Sequence, residues 1–216
     1  MTAPSLCLVT DRRRLAGRDD GFDVARDRLV AVIARAVCAG VDLIQIRERD
    51  LEARALARLV EDAIAVARPA GARVVVNDRL DVALACGASG VHLRGDSISP
   101  RAARTLAPPG FLIGRSVHGV AEAEQVAGDV DYLIAGTVFA TPSKPEGHPL
   151  MGLDGLAAVV RAVEVPVLAI GGITIERLPK VAATGAAGIA GIGLFLEDAS
   201  PAVRLWFDST RSASLH

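Results

Sequence analysis

Short apolar runs of the kind that form buried strands recur along the chain, and stretches with helical spacing of apolar residues separate them. Eight such runs stand out: LCLVT (6–10), DLIQIR (42–47), RVVVN (73–77), GVHL (90–93), LIGRSV (112–117), YLIAGTVF (132–139), VPVLAI (165–170) and AGIAGIGLF (187–195). The stretch over 51–63 repeats an apolar residue at every fourth position, as one face of a helix does. Gly40, Gly87 and Gly185 close three helical stretches, as left-handed C-caps do.

This alternation predicts an α/β fold, a single (β/α)8 TIM barrel, because strand–helix units of this length close most economically that way. A doubly wound open sheet is the alternative, and the lack of a GxGxxG motif after the first run counts against it. No linker or low-complexity tract divides the chain. We therefore expect one barrel domain over 1–209 and a polar, frayed C-terminal tail over 210–216.

The amino-acid composition limits the classes of partner that we expect this protein to bind. Hydrophobic residues make up 51% of the 216, aromatic residues only 3%, and the formal net charge is −1, so nucleic acid is not expected as a partner. No apolar stretch reaches the roughly 20 residues that span a bilayer, and Arg12–Arg14 interrupts the first apolar run. The widely spaced Cys7, Cys38 and Cys86 suggest thiols in a reducing compartment. We expect a cytoplasmic protein without membrane contact, and a homodimer stays open.

In such a barrel, the residues that follow the strands face one common mouth. Almost every run of this chain ends in polar residues or glycine. The set includes Gln45, Arg47, Arg49, Asn77, Asp78, His92, Asp96, Ser116, His118, Thr141, Ser143, Lys144, Gly171–Gly172 and Gly191–Gly193. Cations, amides and hydroxyls dominate it, which suits a polyanion, phosphate together with a divalent metal. The sequence therefore predicts a site for small phosphorylated molecules.

Residues 45–49 (QIRER) alternate, so Arg47 and Arg49 share one side of the second strand and Glu48 points the other way. Because inward arginines need anionic partners, a phosphate clamp is favoured over a salt-bridged barrel interior. Asp78 follows a fully apolar strand. It fits either a Mg²⁺ ligand or the turn that begins the next helix.

Two histidines and one loop have both structural and functional explanations. His92 and His118 each end a strand, so at least one of them is expected to contact ligand rather than only pack. The loop over 137–149 is long and carries proline and glycine, and Lys144 lies between two of its prolines. Such loops are either binding lids or solvated surface. The glycines after the seventh and eighth runs are the strongest general signal, because many barrels bind phosphate there.

Seven motifs in this order resemble one family: LVTD (8–11), IQIRERDL (44–51), VVNDRLDVAL (75–84), GVHL (90–93), IGRSVH (113–118), TVFATPSKP (137–145) and AIGGIT (169–174). They resemble the thiamine-phosphate synthase/thiazole tautomerase superfamily over nearly the whole chain. The resemblance implies a transferase of thiamine biosynthesis that joins hydroxymethylpyrimidine diphosphate to thiazole phosphate and releases pyrophosphate.

The resemblance also implies roles for individual residues. The pyrimidine would neighbour Gln45 and His92. The diphosphate would be gripped by Arg47, Arg49, Asn77, Ser116 and Lys144, with Arg49 standing where the family usually has lysine. Mg²⁺ as cofactor would be held by Asp78. The thiazole phosphate would be received by Thr141, Ser143, Gly172 and the turn Gly191, Ile192, Gly193. Arg47 and Lys144 would be the catalytic cations.

The chain departs from the synthase pattern after GVHL. Synthases there carry GQ-x-D, whose aspartate is the second metal ligand, whereas this chain reads Arg94-Gly95-Asp96-Ser97. Asp96 is therefore the candidate second ligand, one position early. Gly193 also replaces a serine of the phosphate turn. The RGDSISP and GRSVH stretches resemble thiazole tautomerase, in which His118 would be the general acid/base and no metal is needed. A phosphate-binding barrel with a purely regulatory role is a third alternative.

Overall fold

The computed structural model describes residues 5–15, 17, 21–196 and 198–213, with side chains up to residue 210. Eight parallel strands pair in chain order and close into a barrel, with β1 hydrogen-bonded to β8. The strands are β1 Leu6–Val9, β2 Leu43–Ile46, β3 Arg73–Asn77, β4 Gly90–Leu93, β5 Leu112–Val117, β6 Tyr132–Ala135, β7 Val167–Ile170 and β8 Gly188–Gly191. The helices are α1 Phe22–Cys38, α2 Ala53–Ala67, α3 Leu80–Ala85, α4 Pro100–Leu106, α5 Val120–Val126, α6 Gly152–Ala162, α7 Leu178–Ala182 and α8 Ser200–Ala213. The predicted (β/α)8 barrel is confirmed.

Each strand alternates between two apolar layers. Leu6 and Leu8 point outward into the large core that the helices cover, while Cys7 and Val9 point into the barrel. The inner layer is small and has neighbours from most strands: Leu43, Val75, Leu112, Tyr132, Ile134, Leu168 and Ala190. Because this layer fills the barrel from below, polar side chains one step further along the strands are left at the mouth.

Two of the predicted strand runs continue four residues past the ends of the strands they contain. β6 ends at Ala135, after which the chain crosses to the end of β7, where Val138 N–H donates to Ile170 O at 2.9 Å and Phe139 N–H donates to Gly171 O at 3.0 Å. β8 ends at Gly191 and a 3₁₀ turn over Gly193–Phe195 follows. Apolar composition continues in both places because the residues pack against other elements without forming a ladder.

The chain continues as helix beyond the predicted end of the barrel domain. α8 runs to Ala213 and so extends past the predicted start of the tail at 210, while the frayed tail itself stays a prediction. Thr210 Oγ1 donates to Phe207 O at 3.1 Å, a side-chain bond to a carbonyl of the same helix. The remaining tail residues 214–216, and residues 1–4 of the predicted domain, lie outside the described residues. In the described part of the chain, no helix combines the length and apolar character needed to cross a membrane.

Candidate active site

A cavity of about 1460 Å³ opens at the carboxyl ends of the strands, and residues at or after the ends of all eight strands line it. Sixteen of the residues predicted from the sequence lie on its wall: Gln45, Arg47, Arg49, Asn77, His92, Asp96, Ser116, His118, Thr141, Ser143, Lys144, Gly171, Gly172, Gly191, Ile192 and Gly193. The closed barrel brings them together from positions far apart in the chain. Asp78 is the predicted site residue that does not line the cavity.

The wall next to β2 carries two cations without acidic partners. Arg47 and Arg49 line the cavity, and neither takes part in an ion pair among the described residues. Burial lowers the pKa of Arg47, and the neighbouring charge of Arg49 lowers it further. A bound anion stabilises a pair of arginines held this way, because it supplies the negative charge that no acidic side chain provides. The position of this pair agrees with the predicted phosphate clamp.

Glu48 points away from this pair, as the alternation predicts, and is buried. It accepts hydrogen bonds from Thr10 Oγ1 at 2.7 Å and from Arg12 Nη1 at 2.9 Å. Thr10 Oγ1 in turn accepts from the Arg47 backbone N–H at 2.9 Å. This network ties the segment after β1 to the segment after β2, so it fixes the backbone from which Arg47 reaches the cavity.

Sequence reasoning missed four cations of the wall. Arg13, Arg14, Arg94 and Arg177 also line the cavity. Arg12 is turned away by its bonds to Glu48, so its two successors face the mouth. The available signal was position: Arg13 and Arg14 follow a strand directly, just as the residues that were singled out do.

A neutral hydrogen-bonded group forms the floor below these charges. His92 Nδ1 lies 3.2 Å from Tyr132 Oη, and its Nε2 lies 2.8 Å from Ser116 Oγ. Burial lowers the pKa of His92 to about 3, so the ring is uncharged at neutral pH. Gly114 makes room for Tyr132, because a Cβ there would approach the ring Cζ to 2.1 Å. His92 therefore orients the Ser116 hydroxyl as an uncharged ring, with one nitrogen donating and the other accepting.

Two side-chain amides beside this floor form a second series of hydrogen bonds with a fixed direction. Gln45 Nε2 donates to Asn77 Oδ1 at 3.0 Å, and Asn77 Nδ2 donates to Asp78 Oδ2 at 2.9 Å. Because the Asp78 carboxylate only accepts, it fixes which end of Asn77 faces Gln45. The free oxygen of the Gln45 amide is then the group available to a ligand.

Asp78 is surrounded by donors of its own chain. It has φ 61°, in the left-handed region that aspartate tolerates better than most residues. Its Oδ1 accepts from the Arg94 backbone N–H at 3.1 Å and from Ser97 Oγ, and its Oδ2 accepts from Arg94 Nε and Asn77. Burial alone would raise the pKa of Asp78, but the bonds from Ser97 and Arg94 outweigh it and the pKa is lowered.

This arrangement does not fit the divalent cation that was expected at Asp78 and Asp96. Both Asp78 oxygens are already occupied, and Asp96 is exposed and pairs with Arg94 Nη2 at 3.1 Å. No cluster of three or more histidine, cysteine, aspartate or glutamate side chains with metal-binding geometry occurs within the described residues. The two aspartates meet on one arginine instead of facing each other across an ion.

The opposite wall is made of glycine turns. Gly171 has φ 104° and Gly172 φ 61°, both in the left-handed region, and a Cβ on Gly172 would lie 2.4 Å from Ala140 O. Arg177 Nη1 donates to Gly172 O, and its guanidinium lies 4.6 Å from the centre of the Phe139 ring. A turn of this kind exposes backbone N–H groups to an anion. A Cβ on Gly193, in the turn after β8, would lie 3.4 Å from Arg14 Nη1, so a cation stands beside that turn as well.

The loop after β6 reaches over the cavity. Thr141, Ser143 and Lys144 line the cavity and are partly or fully exposed, and Lys144 N–H donates to Thr141 O at 3.1 Å. The base of the loop is fixed, since Met151 N–H donates to Thr137 O at 2.8 Å. His118 lies on the rim, with its side chain 54% exposed and Nδ1 3.4 Å from Glu122 Oε2.

The chain is similar to known proteins over almost its whole length. Residues 6–195 match the family described as "Thiamine monophosphate synthase". A thiamine-phosphate synthase of Albidiferax ferrireducens is 40% identical over 207 residues, covering 94% of this chain and 89% of that protein. One from Solidesulfovibrio magneticus is 45% identical over 165 residues, covering 76% and 74%. The solved structure titled "Thiamine phosphate pyrophosphorylase from Pyrococcus furiosus" superposes with a TM-score of 0.80 at 32% identity, covering 97% of this chain and 96% of that one.

Proposed function

We infer, because the chain belongs to the thiamine monophosphate synthase family, that it is a thiamine-phosphate synthase. It joins hydroxymethylpyrimidine diphosphate to thiazole phosphate and releases pyrophosphate. The observation that carries this inference is the pairing of two anion-binding walls across one cavity: Arg47 and Arg49 on one side, the glycine turns after β7 and β8 on the other. A reaction between two phosphorylated substrates requires this arrangement.

The bond changes place charge where the cations are. The C–O bond between the pyrimidine methylene and the diphosphate breaks, and its electron pair leaves with pyrophosphate. The lone pair of the thiazole nitrogen then forms the new C–N bond. Arg47, Arg49 and Lys144 neutralise the leaving pyrophosphate, and this electrostatic stabilisation lowers the barrier most. The glycine turns hold the thiazole phosphate so that its nitrogen approaches from a fixed direction.

The neutral floor contributes orientation. Ser116 presents its hydroxyl to the diphosphate because His92 holds it from behind. Gln45 presents its amide oxygen to the pyrimidine amine, a donor it can accept from. No general acid or base is needed in the bond-making step, which agrees with a floor whose histidine stays neutral.

The test is to supply each substrate alone and both together, and to follow thiamine phosphate and pyrophosphate. Both products are expected only when both substrates are present. Arg47→Gln should reduce kcat/KM by about 10²–10³-fold, the scale for losing one preorganised charge contact. The matched control Arg54→Gln changes an exposed arginine of α2 outside the cavity and should retain full activity. Failure to form product from the pair of substrates would contradict the inference.

The position of His118 favours one alternative activity for the same cavity. His118 lines the same cavity as the glycine turns. Thiazole tautomerase activity would use it to move a proton on carboxythiazole phosphate. Isomerisation of that compound alone, lost in His118→Ala, would assign the chain to this second reaction.

Compartment and assembly are part of the same proposal. Cys7, Cys38 and Cys86 are all free thiols, which supports a reducing location such as the cytoplasm. A homodimer and the lack of nucleic-acid binding stay predictions. Sedimentation of the purified protein, with and without nucleic acid, measures both.

A further inference from the structure

We propose that the guanidinium of Arg94 takes the place of a divalent cation at Asp78, so that the protein itself contributes no metal site to the diphosphate. This proposal rests on the inferred synthase activity for its kinetic test, but its binding test is independent of that activity. Arg94 would then be a diphosphate-binding residue, with Asp78 and Ser97 as the residues that position it.

The first argument is the occupancy of the Asp78 carboxylate. A carboxylate offers about four lone-pair sites. Oδ1 accepts from Arg94 N and Ser97 Oγ, and Oδ2 accepts from Arg94 Nε and Asn77 Nδ2 at 2.9 Å. Two donors on each oxygen leave no lone pair directed at an ion. A metal could bind there only after Arg94 had moved away.

The second argument is the order of the groups from the barrel outward. Arg94 lines the cavity and contacts Asp78, while Asp78 itself does not line the cavity. The guanidinium therefore lies on the cavity side of the carboxylate, where a cation bound to Asp78 would have to lie. Asp96 approaches the same guanidinium from the exposed side, with Nη2 3.1 Å from its Oδ2.

The third argument comes from two of the positions at which the chain departs from the synthase pattern. Arg94 and Ser97 occupy the positions of the glycine and the aspartate of GQ-x-D. In the structure these two departures contact the same carboxylate, which Ser97 Oγ and Arg94 Nε both donate to. One departure removes a metal ligand and the other supplies a permanent positive charge, so the two compensate each other.

The positive charge around the cavity supports the replacement of a divalent cation by the guanidinium of Arg94. A guanidinium carries a single charge where Mg²⁺ carries two, but it stays protonated and binds phosphate oxygens in a bidentate manner. Among the residues that the structure describes, seven cationic side chains line the cavity: Arg13, Arg14, Arg47, Arg49, Arg94, Lys144 and Arg177. Four acidic ones from the same described residues line it: Asp11, Asp96, Glu176 and Asp198. The excess of cations can neutralise a leaving pyrophosphate without an ion held by carboxylates.

The binding test uses Mn²⁺ alone with the free protein, followed by electron paramagnetic resonance. The wild type is expected to leave Mn²⁺ unbound. The double variant Arg94→Gly with Ser97→Asp opens Asp78 and adds a second carboxylate, so it should bind Mn²⁺. Specific Mn²⁺ binding by the wild type that Asp78→Asn removes would overturn the proposal. The thermal unfolding of each variant shows whether it is folded before its binding is interpreted.

The kinetic test compares turnover in excess EDTA and in Mg²⁺. Wild-type turnover should persist in EDTA, and Arg94→Gln should lose about 10²–10³-fold in kcat/KM. The double variant should need Mg²⁺. The control Arg79→Gln breaks an exposed pair with Asp81 outside the cavity and should behave as wild type. Wild-type turnover that EDTA abolishes and Mg²⁺ restores would contradict the proposal. Absence of turnover in every condition would contradict the synthase inference, while Mn²⁺ binding would still decide the role of Arg94.

Discussion

The buried His92 ring predicts a specific loss of stability in acid. Burial lowers its pKa from 6.5 to about 3, the charge of Asp78 opposes this shift, and the charge of Arg115 adds to it. Below pH 6.5 the unfolded chain takes up a proton at this residue and the folded protein does not. The stabilising effect of the neutral ring is therefore complete above pH 6.5 and is lost as the pH falls toward 3.

The size of this effect follows from the shift. Each pH unit inside the window removes about 1.4 kcal/mol from the free energy of unfolding. Between pH 6.5 and about pH 4.5, His92 should therefore remove about 2 kcal/mol from the stability of the wild type. His92→Gln cannot take up this proton. Over the same pH range, its free energy of unfolding should therefore fall by that much less than the free energy of the wild type. The difference between the two profiles cancels the other titrating groups that both proteins share.

Urea unfolding of both proteins at several pH values measures this difference. Tyr132→Phe is the matched control: it removes the hydroxyl 3.2 Å from His92 Nδ1 but keeps the ring buried. It should lower stability by about 1–3 kcal/mol at every pH, since one buried polar atom loses its partner, and should retain the wild-type slope. Parallel pH profiles for wild type and His92→Gln would refute the argument, as would an NMR titration of the His92 ring near pH 6.5.

Two further predictions concern the anion-binding walls. Gly172→Ala places a Cβ 2.4 Å from a backbone oxygen at a left-handed φ, so KM for thiazole phosphate should rise; Gly71→Ala, also left-handed but with open space around it, should cost stability alone. An equal KM for thiazole phosphate in the two variants would contradict this prediction, even if their losses of stability differed. Lys144→Ala should raise KM for the pyrimidine diphosphate and leave urea unfolding within about 0.5 kcal/mol, because the side chain is exposed. Exposed Lys180→Ala on α7 is the comparison, and equal kinetics for both would be contrary evidence.

The barrel and the composition of its mouth could be predicted because both follow from local patterns. Runs such as 73–77 are apolar throughout, and the residue that ends each run is polar or glycine. Once the strands are parallel, these ends must meet. The positions of Gln45 and Ser116 on the cavity wall follow from counting alternate residues along β2 and β5.

The partners of Asp78 could not be predicted in the same way. Its carboxylate direction depends on a left-handed backbone at φ 61° and on a loop that returns to it from 16 residues further along the chain. The pairing of Tyr132 with His92 joins residues 40 apart, on strands that are not neighbours in the barrel. Such contacts arise from the curvature of the closed barrel and from the space that Gly114 leaves. No local pattern in the sequence records them.

Closure of the barrel also determines how the two anion sites affect each other. β1 pairs with β2 on one side and with β8 on the other, so the segment after β1 lies between the wall next to β2 and the glycine turn after β8. Its Arg14 stands beside Gly193, and its Arg12 and Thr10 hold the Glu48 network behind Arg47. One short segment therefore supports both sites. Because the floor below is neutral, the charge felt by either substrate comes from these loops and from the other substrate.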